Sequence, residues 1–98
     1  MAKTAIFTNE TGDITSDAFT VTGPTAIDAD FANDSDRLEI HRKRADGTFK
    51  LFHSNGPVIL APAGDDANDS VVLIRPGDYK VVGKGLSGET SAQREALP

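Results

Sequence analysis

Short runs in which apolar and polar residues alternate, each ended by a cluster of Gly, Pro, Asn or Asp, constrain this chain more than any other feature. Phe19 and Val21 alternate with threonines in "DAFTVTG", and Leu38 and Ile40 alternate with Glu39 and His41 in "RLEIHRKR". "TAIFT", "FKLFH", "VILA", "VVLI" and "YKVV" supply further short runs rich in Val, Ile, Thr and Phe. A repeat of two puts alternate side chains on opposite faces of an extended chain, so such runs read as half-buried strands. Gly23-Pro24, Asn55-Gly56-Pro57 and Pro76-Gly77-Asp78 separate them. In these turns proline presets φ and glycine accepts positive φ. The pattern predicts an all-β domain, a small antiparallel sandwich or barrel of about seven short strands. The expected strand domain spans residues 1–84. Residues 85–98 are expected to form a flexible C-terminal tail or a short helix, with Thr90 and Gln93 as its capping box.

The hairpin at Ala45-Asp46-Gly47-Thr48 admits two registers with opposite consequences for the faces. A two-residue Asp46-Gly47 loop would set Lys43 against Lys50, which is unfavourable cross-strand pairing. A turn on Ala45-Asp46 with Gly47 as the bulge residue sets Ile40 against Phe52 and Glu39 against His53. The second register is preferred because it gives one apolar and one opposite-charge pair. Leu38, Ile40 and Phe52 then face the core, while Glu39, His41, Phe49, Leu51 and His53 share the other face. Two large apolar side chains on a solvent-side face point to a partner, and these five residues form the candidate interface.

"VVGKGLSGET" contains Gly83-Lys84-Gly85-Leu86-Ser87-Gly88, which spells the dinucleotide-binding pattern. That loop works only between a strand and a helix whose N-terminus faces the pyrophosphate, with a further strand beyond it. Only ten residues follow Gly88, and the alternating strands leave no crossover helix, so no cofactor is expected here. The stretch reads as an exit from the last core strand, where Gly85→Ala would change stability little.

Two aspartate-rich stretches, Asp30 to Ser35 and Asp65 to Ser70, repeat one another and each leads into a strand. Calcium takes about six to eight oxygens, often from alternating acidic positions ahead of a glycine, and neither stretch keeps that spacing. Counting chain reversals from 38–44 through 49–53 to 58–61 places the two loops at opposite ends of the domain. Turn-forming Asx chemistry accounts for them, and no metal is expected. Glu39, His41 and His53 could be imagined as two histidines and a carboxylate on a metal. With Phe49 and Leu51 between them, they do not make a concave site with an open position. Ser87 in "GLSG" lacks the nucleophile-elbow spacing, and no catalytic group is assigned.

The net charge of -5 opposes a nucleic-acid partner, because phosphate binding relies on Lys and Arg displacing counterions. The basic run Arg42-Lys43-Arg44 reads as a solvated strand end. No apolar run approaches the ~20 residues of a membrane helix, and the start "MAKTAIFTNETG" lacks the apolar core of a secretory signal. Without cysteine there is no disulfide to brace so small a core.

Tyr79 follows a Pro-Gly turn at a strand start, the position of a corner tyrosine bonding back to the backbone. With it placed, "VVLIRPGDYKVVGKG" resembles the last strands of small β-sandwich proteins in the virions of tailed bacteriophages. These include capsid decoration (cement) proteins and other head or tail accessory proteins. The resemblance covers under a fifth of the chain and carries no functional residue across. It implies a non-enzymatic structural protein, made in the bacterial cytoplasm and resident in the virion. Such a protein is a homo-oligomer, most simply a trimer, docked on a capsid or tail protein. The competing expectation is a small ligand-binding accessory module of a bacterial surface system, with carbohydrate or calcium as ligand.

Overall fold

A computed structural model describes residues 3–54, 56–64 and 67–98. All regular structure among the described residues is β: β1 (Thr4–Thr15), β2 (Phe19–Val21), β3 (Thr25–Phe31), β4 (Leu38–Lys43), β5 (Phe49–Leu51), β6 (Ile59–Leu60), β7 (Ser70–Leu73) and β8 (Gly77–Ala96). They form a single antiparallel sheet with central order β5-β4-β8-β3-β7, in which β1 and β2 also pair with β8 and β6 pairs with β4. A bridge between Ala61 and Asn68 ties the far end of β6 to the approach to β7. The sheet therefore curls on itself, and the all-β, barrel-like expectation holds.

β8 organises this curl. Its first part, Tyr79 to Gly83, pairs with β4, and its last part, Thr90 to Ala96, pairs with β3. On its other side it pairs with β2 through Tyr79 and then with β1 from Val82 to Arg94, through several bulges. The expected boundary after residue 84 and the tail or helix over 85–98 are thus overturned. The segment is extended as far as Ala96 and pairs on both sides between Thr90 and Arg94, with Leu86, Thr90 and Ala92 buried. Its Gly, Ser and Glu content cannot build a core of its own. It is ordered because β1 and β3 cover it, and these partners are far away in sequence. Gln93, expected in a helix cap, lies opposite Asp28 in the ladder.

The hairpin adopts the bulged register. His41 faces Leu51 and Lys43 faces Phe49, and the Phe52 amide donates to the Ile40 carbonyl at 2.8 Å. Gly47 supplies the positive φ (90°) that the bulge position demands, and its amide closes the turn on the Arg44 carbonyl. After Phe52 the chain leaves β4 and returns, its neck closed by the Val58 amide on the Phe52 carbonyl. It rejoins β4 in the same direction as before, with Ile59 opposite Glu39 and Leu60 opposite Leu38. Two consequences correct the sequence reading. Ile59, not His53, stands opposite Glu39, and His53 instead bridges to Pro57. The chain also makes one reversal fewer than counted, so the aspartate-rich stretches come to the same end of the barrel. There the Arg37 guanidinium approaches Gly64, and the Ala29 amide donates to the Asp69 carbonyl. Asp65 and Asp66 lie outside the described residues.

Tyr79, Ile27, Leu38, Ile40, Leu60, Leu73, Val21 and Val81 are fully buried at the centre. Tyr79 is the keystone. Phe52 meets its ring edge-on at 5.4 Å and Phe19 stacks at 6.3 Å, and its hydroxyl donates to the Arg75 carbonyl at 2.6 Å. The corner expected from the Pro-Gly-Asp-Tyr spacing is formed, and the buried hydroxyl has the partner it requires.

Candidate interaction face

Side-chain alternation along β4 and β5 puts Glu39, His41, Phe49 and Leu51 on the outer face of the hairpin, as their parity predicts. Phe49 and Leu51 are half-buried, so each presents apolar area to solvent while packing on the sheet. The fifth expected residue, His53, stands on the excursion after Phe52. It is exposed, and its Nδ1 lies 3.2 Å from the Leu51 carbonyl. It is not joined to the Glu39–His41 pair.

Glu39 and His41 pair with each other, Oε1 to Nε2, at 2.9 Å. Neighbours at i and i+2 on a strand share a face, so the pair needs no second strand to assemble. Lys84 reaches the same Glu39 oxygen only at 4.0 Å from a largely exposed position. Partly exposed pairs of this kind contribute little to stability, but they fix which way the carboxylate points. Three members of the face come from strands that sequence adjacency does not reveal. Lys80 stands opposite His41, Val82 opposite Glu39 on one side, and Ile59 opposite Glu39 on the other. The Lys80 ammonium sits 4.4 Å from the Phe49 ring centroid, a cation–π contact that holds the ring against the sheet. The face is thus an apolar flank of Phe49, Leu51 and Ile59 beside a polar ridge of Glu39, His41 and Lys80.

The glycine-rich stretch that spells a dinucleotide loop is a kink in β8, and its amides are already engaged. The Gly85 amide donates to Asp13 Oδ1 at 2.7 Å. The Ser87 amide and hydroxyl both donate to Asp36 Oδ1, and the Gly88 amide donates to Asp36 Oδ2, each at 3.0 Å. Asp36 is buried, and these backbone donors hold its carboxyl below the usual carboxylate range. Two carboxylates of the chain itself thus occupy the places an anionic ligand would take. The kink is also crowded: a Cβ on Gly83 would stand 2.8 Å from Leu86 Cδ1 and 3.0 Å from Leu38 Cδ2.

Asp28, in β3 just ahead of the first aspartate-rich stretch, is likewise spoken for. It accepts from the Ser70 hydroxyl at 2.6 Å and pairs with Lys3 at 2.9 Å, and these contacts, Ser70 first, lower its pKa. Among the described residues no three His, Asp or Glu side chains converge as a metal would require. Glu39 and His41 meet without a third ligand, because His53 has left the ladder. What the arrangement offers is a surface of mixed apolar and polar character on a rigid hairpin. Comparison with protein-family models, with curated proteins and with solved structures finds no match.

Proposed function

We propose that the chain is a non-enzymatic structural protein of a bacteriophage virion, of the capsid decoration type. It acts through contacts with its own copies and with a capsid or tail protein. The observation that carries this reading is the outer hairpin face, where Phe49 and Leu51 stay partly open to solvent on a rigid support. Covering such area stabilises an assembly by about 25 cal/mol per Å². A domain of this size has a small core and open strand edges, and association relieves both weaknesses. The resemblance of Val71 to Gly85 to virion sandwich proteins supplies the setting. The Pro-Gly-Asp-Tyr turn in that stretch is the corner on which this fold is built.

Cosedimentation tests the reading. Tailed particles from cells producing the tagged chain should carry it into the pellet in many copies per particle. A chain that remains in the supernatant and is retained by immobilised glycans would replace this role with that of a carbohydrate-binding accessory module.

A further inference from the structure

Five of the ten Lys and Arg residues of this acidic chain gather at one end of the barrel. Arg42, Lys43, Arg44, Lys50 and Arg75 border a concavity of about 480 Å³ whose apolar wall includes Leu51. None of the five makes an ion pair with a carboxylate among the described residues. Asp46 at the hairpin tip feels Arg44 and Lys50 electrostatically but is turned onto the Thr48 amide and hydroxyl.

One of these cations is held by the fold. The Arg42 guanidinium lies 5.9 Å from the Tyr79 ring centroid and donates from Nη2 to the Pro76 carbonyl at 2.7 Å. Its Nε is buried without a hydrogen-bond partner. The backbone of Arg75 is fixed by the Tyr79 hydroxyl on its carbonyl. Arg42 and Lys50 face each other across the ladder, which brings like charges together at a free-energy cost. A chain with fifteen acidic residues has ample means to neutralise such a cluster, yet leaves it open.

We propose that this end of the barrel binds a ligand carrying two or more phosphate or sulfate groups. Arg42 forms the preorganised anchor, and Arg75, Arg44, Lys43 and Lys50 add exposed charge around it. Guanidinium groups suit planar, multi-point recognition of oxyanions, and a concavity of this size takes a small ligand or one unit of a longer one. This site adjoins the outer face of the hairpin through Leu51 and stands whether or not the chain belongs to a virion.

Titration of isotope-labelled protein, followed by amide shifts, tests the site with three probes: sodium tripolyphosphate, inorganic phosphate and a fully sulfated heparin disaccharide. Shifts should be confined to residues 42–50 and 75–79. At least one polyvalent probe should bind roughly tenfold or more tightly than inorganic phosphate, and binding should weaken with added salt. Binding of both polyvalent probes assigns the site to oxyanion charge in general, and binding of one alone names the source. Lys50→Glu with Arg75→Glu should lose at least about tenfold in affinity. Lys3→Glu with Lys84→Glu, an equal charge change elsewhere, should keep it. Both double variants alter exposed side chains, and thermal melts confirm that they fold. Failure of every probe at millimolar concentration, shifts spread equally over Lys3 and Lys84, or equal losses in the two double variants would overturn the proposal.

Discussion

The two carboxylate oxygens of Asp36 divide the kink of β8 between them, Oδ1 taking Ser87 and Oδ2 taking the Gly88 amide at 3.0 Å. One buried acid thus fixes the bend at which β8 passes from β4 to β3. The same donors in a dinucleotide-binding loop would face a pyrophosphate.

Asp36→Asn should lower the melting temperature at neutral pH by several degrees. An amide offers only one acceptor oxygen, and its NH2 would meet one of the two amide donors. The folded carboxyl titrates below its unfolded value of about 3.9, so its contribution is present above that value. The contribution is lost as pH falls through the lower folded pKa. The gap between the melts of the two proteins should therefore narrow as pH falls from neutral toward the acid end. A difference that stays constant across this range would show that Asp36 acts by shape and not by charge.

Gly85→Ala should destabilise by roughly 1 kcal/mol, because Gly85 holds φ at 59° in the middle of a paired strand. The space around it is open, so the cost is conformational and not steric. Urea denaturation of the pair measures it. An unchanged midpoint would restore the reading of this stretch as a loose exit from the core.

Phe52→Ala should cost about 3 kcal/mol, the lower end of the range for a phenylalanine truncation, because the ring is half-buried against Tyr79. His41→Ala should cost under about 1 kcal/mol, since its one ion pair is partly exposed. Equilibrium unfolding of the two variants side by side should separate them clearly. Comparable losses would mean that the Glu39–His41 pair braces the hairpin more than its exposure suggests.

Tyr79→Phe should cost about 1–1.5 kcal/mol and leave the core packing intact, because it removes only the hydroxyl that reaches the Arg75 carbonyl. Hydrogen exchange should locate the loosening at residues 75–79. A neutral substitution would mean that water replaces the lost bond at no cost.

The parts of this fold legible in the sequence are those set by neighbours in the chain. The bulged hairpin follows from Ala45-Asp46-Gly47 and from the Ile40–Phe52 pairing it permits, and the corner follows from Pro76-Gly77-Asp78-Tyr79. The part of β8 from Gly85 onward is hidden because Gly85, Ser87, Gly88 and Ser91 have the composition of a coil. Only coverage by β1 and β3 makes it a strand. "LFHSNGPVIL" misleads in another way: it reads as a reversal, yet the chain rejoins β4 at Ile59 in the direction in which it left at Leu51, and Asn55 lies outside the described residues. On the outer face, parity alone placed Glu39, His41, Phe49 and Leu51. Lys80, Val82 and Ile59 could not be found that way, because the pairings that bring them there are set by the whole topology.

The native mass of the wild-type chain and of Phe49→Glu with Leu51→Glu, measured by sedimentation equilibrium over a range of concentrations, tests most directly whether copies meet on this face. The wild type should sediment as a small closed oligomer, most simply a trimer, and the double variant as a folded monomer with an unchanged far-ultraviolet spectrum. A wild type that is monomeric at every concentration, or a double variant that keeps the wild-type mass, would contradict the claim that this face is where copies meet.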